Sequence, residues 1–328
     1  MSDIQITELA AGVAAGDRRA LARAITLAES TRTDHRAATQ ELLAALPPGR
    51  MALRVGLSGT PGVGKSTLIE ALGLHLITQG ARVAVLAVDP SSTRNGGAIL
   101  GDKTRMEQLS RQPGAFIRPS PSQTALGGIA RRTREAVTLC EAAGFDPVLI
   151  ETVGVGQSET LVAQVCDVFV LLLAPAGGDE LQGVKRGIME IADLVLVNKS
   201  DGPFRAQALA TAGDYRSALG LMRPRPQDPP GGPQVMTVSA LTGDGMAAAW
   251  DAVRALADWR QAQGIAAQTR AAQTRHWFRA ELETELLRLL TADPTLSARL
   301  AALEAEVAAG RMTAAAAAAV VLAPLTAG

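Results

Sequence analysis

Cysteine, histidine and aromatic residues are scarce in this 328-residue chain, and each shortage argues against a class of function. The two cysteines, Cys140 and Cys166, stand in apolar surroundings, "VTLCEAAG" and "AQVCDVFV". They read as small core residues, not as a disulfide or a metal pair. His35, His75 and His276 are scattered and fit no ligand spacing. Aromatics make up 3% of the residues, too few for a base-stacking platform. Lys+Arg and Asp+Glu are equal at 32 each, so the basic surplus of a nucleic-acid protein is missing, although a local anion site stays open. The longest apolar runs, such as "VFVLLLAPA", are strand-length and too short to span a bilayer. The N-terminal "MSDIQITELAAGVAAGDRRALARA" lacks the continuous apolar core of a signal peptide. The expectation is a soluble, cytoplasmic protein with neither nucleic acid nor membrane as partner.

What the chain does have is a change of texture. Up to about residue 46, Leu, Ala and Ile recur at helical spacing, broken near Gly16-Asp17 and Thr31–Asp34 and ended by Pro47-Pro48-Gly49. From Arg54, short apolar runs alternate with amphipathic stretches: "RVGLS", "RVAVLAVD", "AFIRP", "PVLIET", "DVFVLLLA", "DLVLVN" and "VMTVSA". Near-continuous apolar strands separated by helices predict a mainly parallel sheet covered on both faces. "LMRPRPQDPPGGPQ" (221–234) reads as a surface loop. After Trp259 strand signals cease, and the alanine-rich tail reads as helix. The fold class is therefore α/β: a helical extension over 1–50, a sheet domain over 51–262, and a helical arm over 263–328. An arm too thin for its own core suits packing on a second chain.

The segment "GLSGTPGVGKSTL" follows the first strand and opens a helix. From Gly59 through Thr60, Pro61, Gly62, Val63, Gly64 and Lys65 to Ser66 it fits G-x-x-x-x-G-K-[ST], with Thr67 next. Glycines let backbone N–H groups turn inward around phosphate oxygens, and the helix N-terminus adds partial positive charge. Lys65 is expected to reach the β- and γ-phosphates, and the Ser66 hydroxyl to ligate Mg²⁺. Three acids join this edge: Asp89 ends "RVAVLAVD", Asp102 lies in "LGDKTRM", and Glu151 ends "PVLIE". In a parallel sheet, Asp89 and Glu151 emerge beside the phosphate loop, where ligands bind. Mg²⁺ keeps several waters, so a Glu can act through water as well as by contact. Taken alone, any one of these acids is also readable as a helix cap.

"LVLVNKSD" places Asn198, Lys199 and Asp201 after a later strand, matching N-K-x-D. A carboxylate there accepts from guanine N1–H and the exocyclic amine, whereas adenine leaves it unpaired. "VMTVSAL" supplies Ser239, Ala240 and Leu241 at the next strand end, where a backbone N–H can meet guanine O6. The nucleotide expected is GTP, with GDP as product.

With these residues in place the sequence resembles the MeaB/ArgK/MMAA group of P-loop GTPases. The likeness runs closely over about 50–260 and more loosely at the helical ends. Its carrying segments are "GTPGVGKST", "AVDPSSTRNGGAILGDKTRM", "FIRPSPSQTALGGIA", "ETVGVGQSE", "AGGDELQGVKRGIMEIAD" and "VNKSD". The resemblance implies a homodimeric, Mg²⁺-dependent GTPase that serves an adenosylcobalamin-dependent acyl-CoA mutase, usually methylmalonyl-CoA mutase. It would gate cofactor loading, protect the mutase and help expel damaged cofactor; the adenosylcobalamin belongs to the partner. By matching positions, Lys65 and Ser66 take phosphate and Mg²⁺, while Asp89, Asp102 and Glu151 form the acidic cluster. Residues 177–185 resemble a loop that responds to the mutase, with Asp179 and Lys185 reorganising towards the nucleotide. Dimer contacts of the group fall largely in the C-terminal arm.

Hydrolysis needs Mg²⁺, positive charge and a positioned water. The residue after Gly154 is Val155, which cannot orient water. Gln157 is one candidate, and a solvent-exposed Gln at a helix start is the other reading of it. Slow intrinsic turnover is expected, with Lys185 or Arg105 swinging in when the partner docks. For Arg131, Arg132 and Arg134 a solvated helix face and a mutase contact both stand. A metal-delivery GTPase for a metal enzyme is a rival reading, but the chain lacks C-x-x-C and a His-rich tract. A kinase or transport-linked nucleotidase is a second rival, against which N-K-S-D argues.

Overall fold

A computed structural model describes residues 3–47, 51–88, 106–119, 126–152, 162–175 and 186–326. Seven strands form one sheet: β1 (Arg54–Gly59), β2 (Val83–Val88), β3 (Ala115–Pro119), β4 (Val148–Thr152), β5 (Val168–Leu173), β6 (Leu194–Val197) and β7 (Gln234–Thr237). Their order is β3-β2-β4-β1-β5-β6-β7, and every neighbouring pair is parallel. All the expected strands are present, and the reason is burial: β2, β4, β5 and β6 are buried along their whole length. Only strands covered on both faces can be apolar at consecutive positions. Because β1 lies between β4 and β5, the chain reverses its direction of travel across the sheet there. That is the place where open α/β sheets bind ligands, outside the carboxyl ends of the strands.

Helices α1 (Asp3–Ala14), α2 (Arg18–Glu29) and α3 (Thr33–Ala45) precede the sheet. Asp17 caps α2 by accepting from the backbone N–H groups of Arg19 and Ala20 at 2.6 and 3.1 Å. One face of α2 buries Leu21, Ala24, Ile25 and Leu27. Arg118 at the end of β3 pairs with Glu29 and donates to the Thr26 hydroxyl at 3.1 Å. The early helices are thereby tied to the sheet's β3 edge.

The amino ends of the middle strands carry a buried ionic network. Asp193, just before β6, accepts from Arg260 at 2.6 Å, from Arg225 at 2.9 Å and from the Phe169 N–H at 2.8 Å. Arg225 also reaches Asp228 at 2.6 Å. Asp167, just before β5, accepts from the Arg54 N–H and from Arg270, while the Gln273 side chain donates to the Cys166 carbonyl. The 221–234 loop is therefore pinned by its own arginine, although its proline content marks it as surface. Burial pushes both the Cys140 and Cys166 thiols well above their ordinary range, as core residues would be.

The chain divides by internal contacts into two compact units, Met1–Gln273 and Thr274–Gly328. In the second unit, Pro294–Ala308 packs on Ala314–Thr326, and Asp293 caps the former by accepting from Thr295 and Leu296. Phe278, Leu282, Leu286 and Leu289 lie exposed on the long helix Ile265–Ala292. Among the described residues no helix is long and apolar enough to cross a membrane.

The Asp193 side chain is 8% exposed and serves two arginines. Removing it leaves Asp228 as the remaining carboxylate beside both guanidinium groups, at 2.6 Å from Arg225 and 4.0 Å from Arg260, so Asp193→Ala is expected to lower the unfolding free energy by about 3 kcal/mol. Urea denaturation checks this; a loss below about 1 kcal/mol would mean that solvent already screens the network.

Candidate functional site

The phosphate loop is built by close approach. Gly59 closes β1 where a side chain's first carbon would lie 2.3 Å from the Leu172 carbonyl oxygen on β5. Gly64 has φ +90°, and a side chain there would meet the Asn198 amide nitrogen at 2.7 Å. Only glycine satisfies both positions. Val63 between them is buried, while Thr60, Pro61, Gly62 and Thr67 face solvent. Helix α4 (Lys65–Thr78) then begins with its N-terminus at the loop. The buried Lys65 ammonium donates to the Gly59 and Thr60 carbonyls at 2.6 and 3.3 Å, curling over the loop that a phosphate would enter.

Glu151 is 3% exposed on β4, level in register with Leu57 of β1. The Ser66 hydroxyl donates to its Oε1 at 3.2 Å. A carboxylate and a hydroxyl side by side at a helix N-terminus are the hard oxygen donors Mg²⁺ takes, so this pair fits that ion. Among the described residues no three acidic, histidine or cysteine side chains gather as a metal cluster. Asp89 and Asp102, expected to complete the acidic set, lie outside the described residues, as do Arg105, Gly154, Gln157, Asp179 and Lys185. Val88, the residue before Asp89, stands in register with Thr152, the residue after Glu151.

The base end is tied directly to the phosphate end. Asn198, 1% exposed, donates from its side-chain amide to the Val63 carbonyl at 2.9 Å and accepts from the Ala240 N–H at 3.1 Å. Lys199, in the left-handed region with φ +59°, lays its ammonium on the Gly62 carbonyl at 2.8 Å. A non-glycine residue held there is strained, and such strain concentrates at functional sites. The Ser239 hydroxyl donates to Asp201 at 2.6 Å and itself accepts from the Thr242 N–H, so the carboxylate is fixed before any base arrives. Leu241 is 81% exposed beside it. The motif reading assigned Asn198 to the nucleotide; its bridging of two loops was missed, because the contact spans 135 positions.

Other expectations resolve differently. Arg132 is only 5% exposed, which overturns the solvated-face reading for it, and Arg131 lies 3.8 Å from Glu135. Burial, and then the neighbouring Arg131 charge, lowers the Arg132 pKa. His35 contacts Ser30 and His75 contacts Gln79, in both cases within a helical neighbourhood. A cavity of about 1330 Å³ lies away from this edge, against Met189, Leu219 and Trp259 under the proline-rich loop. Glu190, Arg223, Arg225 and Asp228 are its charged lining residues, and of these Arg225 and Asp228 are bonded to each other.

Comparison with known proteins agrees with the geometry. Residues 21–295 match the family model described as methylmalonyl Co-A mutase-associated GTPase MeaB. The GTPase ArgK of Escherichia coli (strain K12) is 48% identical over 280 residues, covering 85% of this chain and 84% of that one. The mouse protein named methylmalonic aciduria type A homolog, mitochondrial, is 46% identical over 319 residues, 94% of this chain and 76% of that one. A crystal structure titled LAO/AO transport system kinase superposes with a TM-score of 0.77 at 36% identity, covering 99% of both chains. With its phosphate loop, its N-K-x-D segment and its all-parallel sheet, this chain belongs to the MeaB family of P-loop GTPases.

Proposed function

We propose that this GTPase acts as a nucleotide-driven chaperone for an adenosylcobalamin-dependent acyl-CoA mutase, most simply methylmalonyl-CoA mutase. The observation that carries the nucleotide half of this reading is the Asn198 bridge, which locks the base-reading and phosphate-holding loops into one surface. The mutase half rests on the family description and on the mouse relative's name. In this reading GTP lies along the carboxyl edge. Lys65 exchanges its loop carbonyls for phosphate oxygens, and loop N–H groups from Gly59 to Thr67 surround the phosphates. Asp201, held by Ser239, accepts from the guanine N1–H and amine, Ala240 offers its N–H towards O6, and Leu241 and the Lys199 stem flank the base.

Ser66 and Glu151, with Asp89 and Asp102, would hold Mg²⁺, which would supply charge that neutralises the nucleotide phosphates. The described residues contain no obvious base for the attacking water. We assign to Lys185 or Arg105 of this chain, swinging in when the partner docks, the positive charge that the transferring phosphoryl group needs, with Asp179 reorganising beside them. A docking-dependent catalyst makes turnover slow until the mutase binds.

The exposed Phe278, Leu282, Leu286 and Leu289 suit a homodimer in which a second copy covers the helical arm over 263–328. The cytoplasm is the compartment we propose. A metal-delivery role lacks soft or imidazole ligands here, since the chain has three histidines and two buried cysteines. The kinase title of the solved relative names a second activity class, against which the N-K-x-D residues Asn198, Lys199 and Asp201 argue.

Steady-state hydrolysis of GTP, with ATP as control, tests the proposal with and without a cobalamin-dependent mutase from the same organism. A large rise with GTP alone is expected; no rise at saturating mutase removes the chaperone reading. Base recognition has its own test. Asp201→Asn replaces an acceptor by a donor, so GTP affinity should fall by about 10²-fold or more, while xanthosine triphosphate, with an acceptor where guanine has its amine, should gain. Equal loss of both nucleotides would mean that Asp201 only supports the loop.

A further inference from the structure

Strands β1 and β4 part at the edge where the phosphate loop begins. Their ladder runs from Arg54↔Val148 to Leu57↔Glu151 and stops there. Beyond it each strand keeps its outer neighbour: Ser58 and Gly59 pair with Leu171 and Leu172 of β5, and Thr152 pairs with Val88 of β2. Where the backbone pairing between β1 and β4 ends, a side-chain contact takes over. The Thr152 hydroxyl donates to the Ser58 hydroxyl at 3.0 Å, across 94 positions of chain. Both residues are buried.

Each member of the pair adjoins a residue of the site. Ser58 precedes Gly59, whose carbonyl accepts from Lys65, and Thr152 follows Glu151, which accepts from Ser66. Successive side chains alternate between the faces of a strand, so Ser58 and Thr152 share the face opposite to Leu57 and Glu151. That face is tightly covered by apolar groups. A first side-chain carbon at Gly56, two residues before Ser58, would lie 2.7 Å from a Val162 methyl and 2.9 Å from the Cys166 sulfur. Two hydroxyls in such surroundings need each other, since a lone buried one is costly. Alanine and valine would fill nearly the same space with no polar group to satisfy, and replacing both partners in that way costs little stability. Packing therefore does not account for the hydroxyls. Their directionality does, because a hydrogen bond fixes the separation of two strand ends that an apolar contact would leave free to slide.

From this arrangement we infer that Ser58 and Thr152 are positioning residues, which hold the end of β4 against β1 so that the Glu151 carboxylate stays beside the Ser66 hydroxyl. The Ser66–Glu151 contact, at 3.2 Å, is already long for two oxygens, so a small outward drift of β4 loses it. The inference rests on the reading of Ser66 and Glu151 as Mg²⁺ ligands and goes beyond it, since that reading gives neither Ser58 nor Thr152 a role. Neither hydroxyl touches nucleotide or ion in this account; both act through the strand ends that carry the ligands.

The test compares the double variant Ser58→Ala with Thr152→Val, which removes both hydroxyls together, and the single variant Thr152→Ser, which keeps the hydrogen bond and loses a methyl. GDP affinity is measured in EDTA and across a Mg²⁺ titration, with the melting temperature of each protein taken without nucleotide. For the double variant, the melting temperature and the metal-free GDP affinity should stay near wild type, while the Mg²⁺ concentration for half-maximal response rises about tenfold. Thr152→Ser should stay within about threefold of wild type in that response. An unchanged Mg²⁺ response in the double variant overturns the inference, because packing alone would then hold Glu151 in place. A large fall in its melting temperature overturns it in favour of a structural role for the pair. A loss of its metal-free GDP affinity overturns it in favour of general support of the phosphate loop. A shift of about tenfold in Thr152→Ser also overturns it, because the lost methyl and not the hydroxyl would then be acting. A wild-type protein indifferent to Mg²⁺ removes the metal reading and the inference with it, and that failure shows in the control before any variant is compared.

Discussion

The site depends on the two hydrogen bonds of one buried amide. Asn198 sits at the end of β6, two strands away from the phosphate loop, yet its side chain holds Val63 in that loop and Ala240 in the loop after β7. Without a bridge of this kind, three loops of separate origin would each relax on their own. A buried amide group is poorly tolerated unless bonded, so the geometry that satisfies Asn198 is also the geometry that brings the loops to one place. Gly64 must lack a side chain for the same reason, since the Asn198 nitrogen lies where one would be.

The opposite end of the sheet supplies stiffness. Asp193 and Asp167 collect arginines from the proline-rich loop and from two later helices, and they also hold the backbone N–H groups where β1 and β5 begin. Ionic groups at the amino ends and ligand-facing groups at the carboxyl ends divide the sheet into a clamped edge and a working edge. Strand β1 spans both, with Arg54 N–H bound at one end and Gly59 entering the phosphate loop at the other. On the working edge, the Thr152 hydroxyl donates to Ser58 and ties the end of β4 to β1 where their ladder stops.

Much of this was legible in the chain. The parallel sheet could be read because strands covered on both faces must be apolar at consecutive positions, and "VAVLAV" and "VFVLLL" are. The phosphate loop could be read because its chemistry is local: glycines, Lys65 and Ser66 act within a few residues of each other. Arg132 could not be read. Three arginines in four positions look like a solvated face, and only the packing around their helix puts Arg132 inside. Loop 221–234 was recognisable as a loop, but nothing in its composition says that Arg225 is held by Asp193.

By itself, then, the sequence determined the class of fold, the phosphate loop, the N-K-x-D segment and the family, because each is written in residues that are neighbours along the chain. Only the tertiary structure decided how those pieces meet: that Asn198 joins them, that Ser66 faces Glu151 from 85 positions away, and that Thr152 reaches Ser58 across 94 positions. The physical reason is the range of the interactions. Propensity and motif chemistry act between adjacent residues, whereas the pairing of a buried polar group is settled by whichever distant partner the packed fold brings within reach.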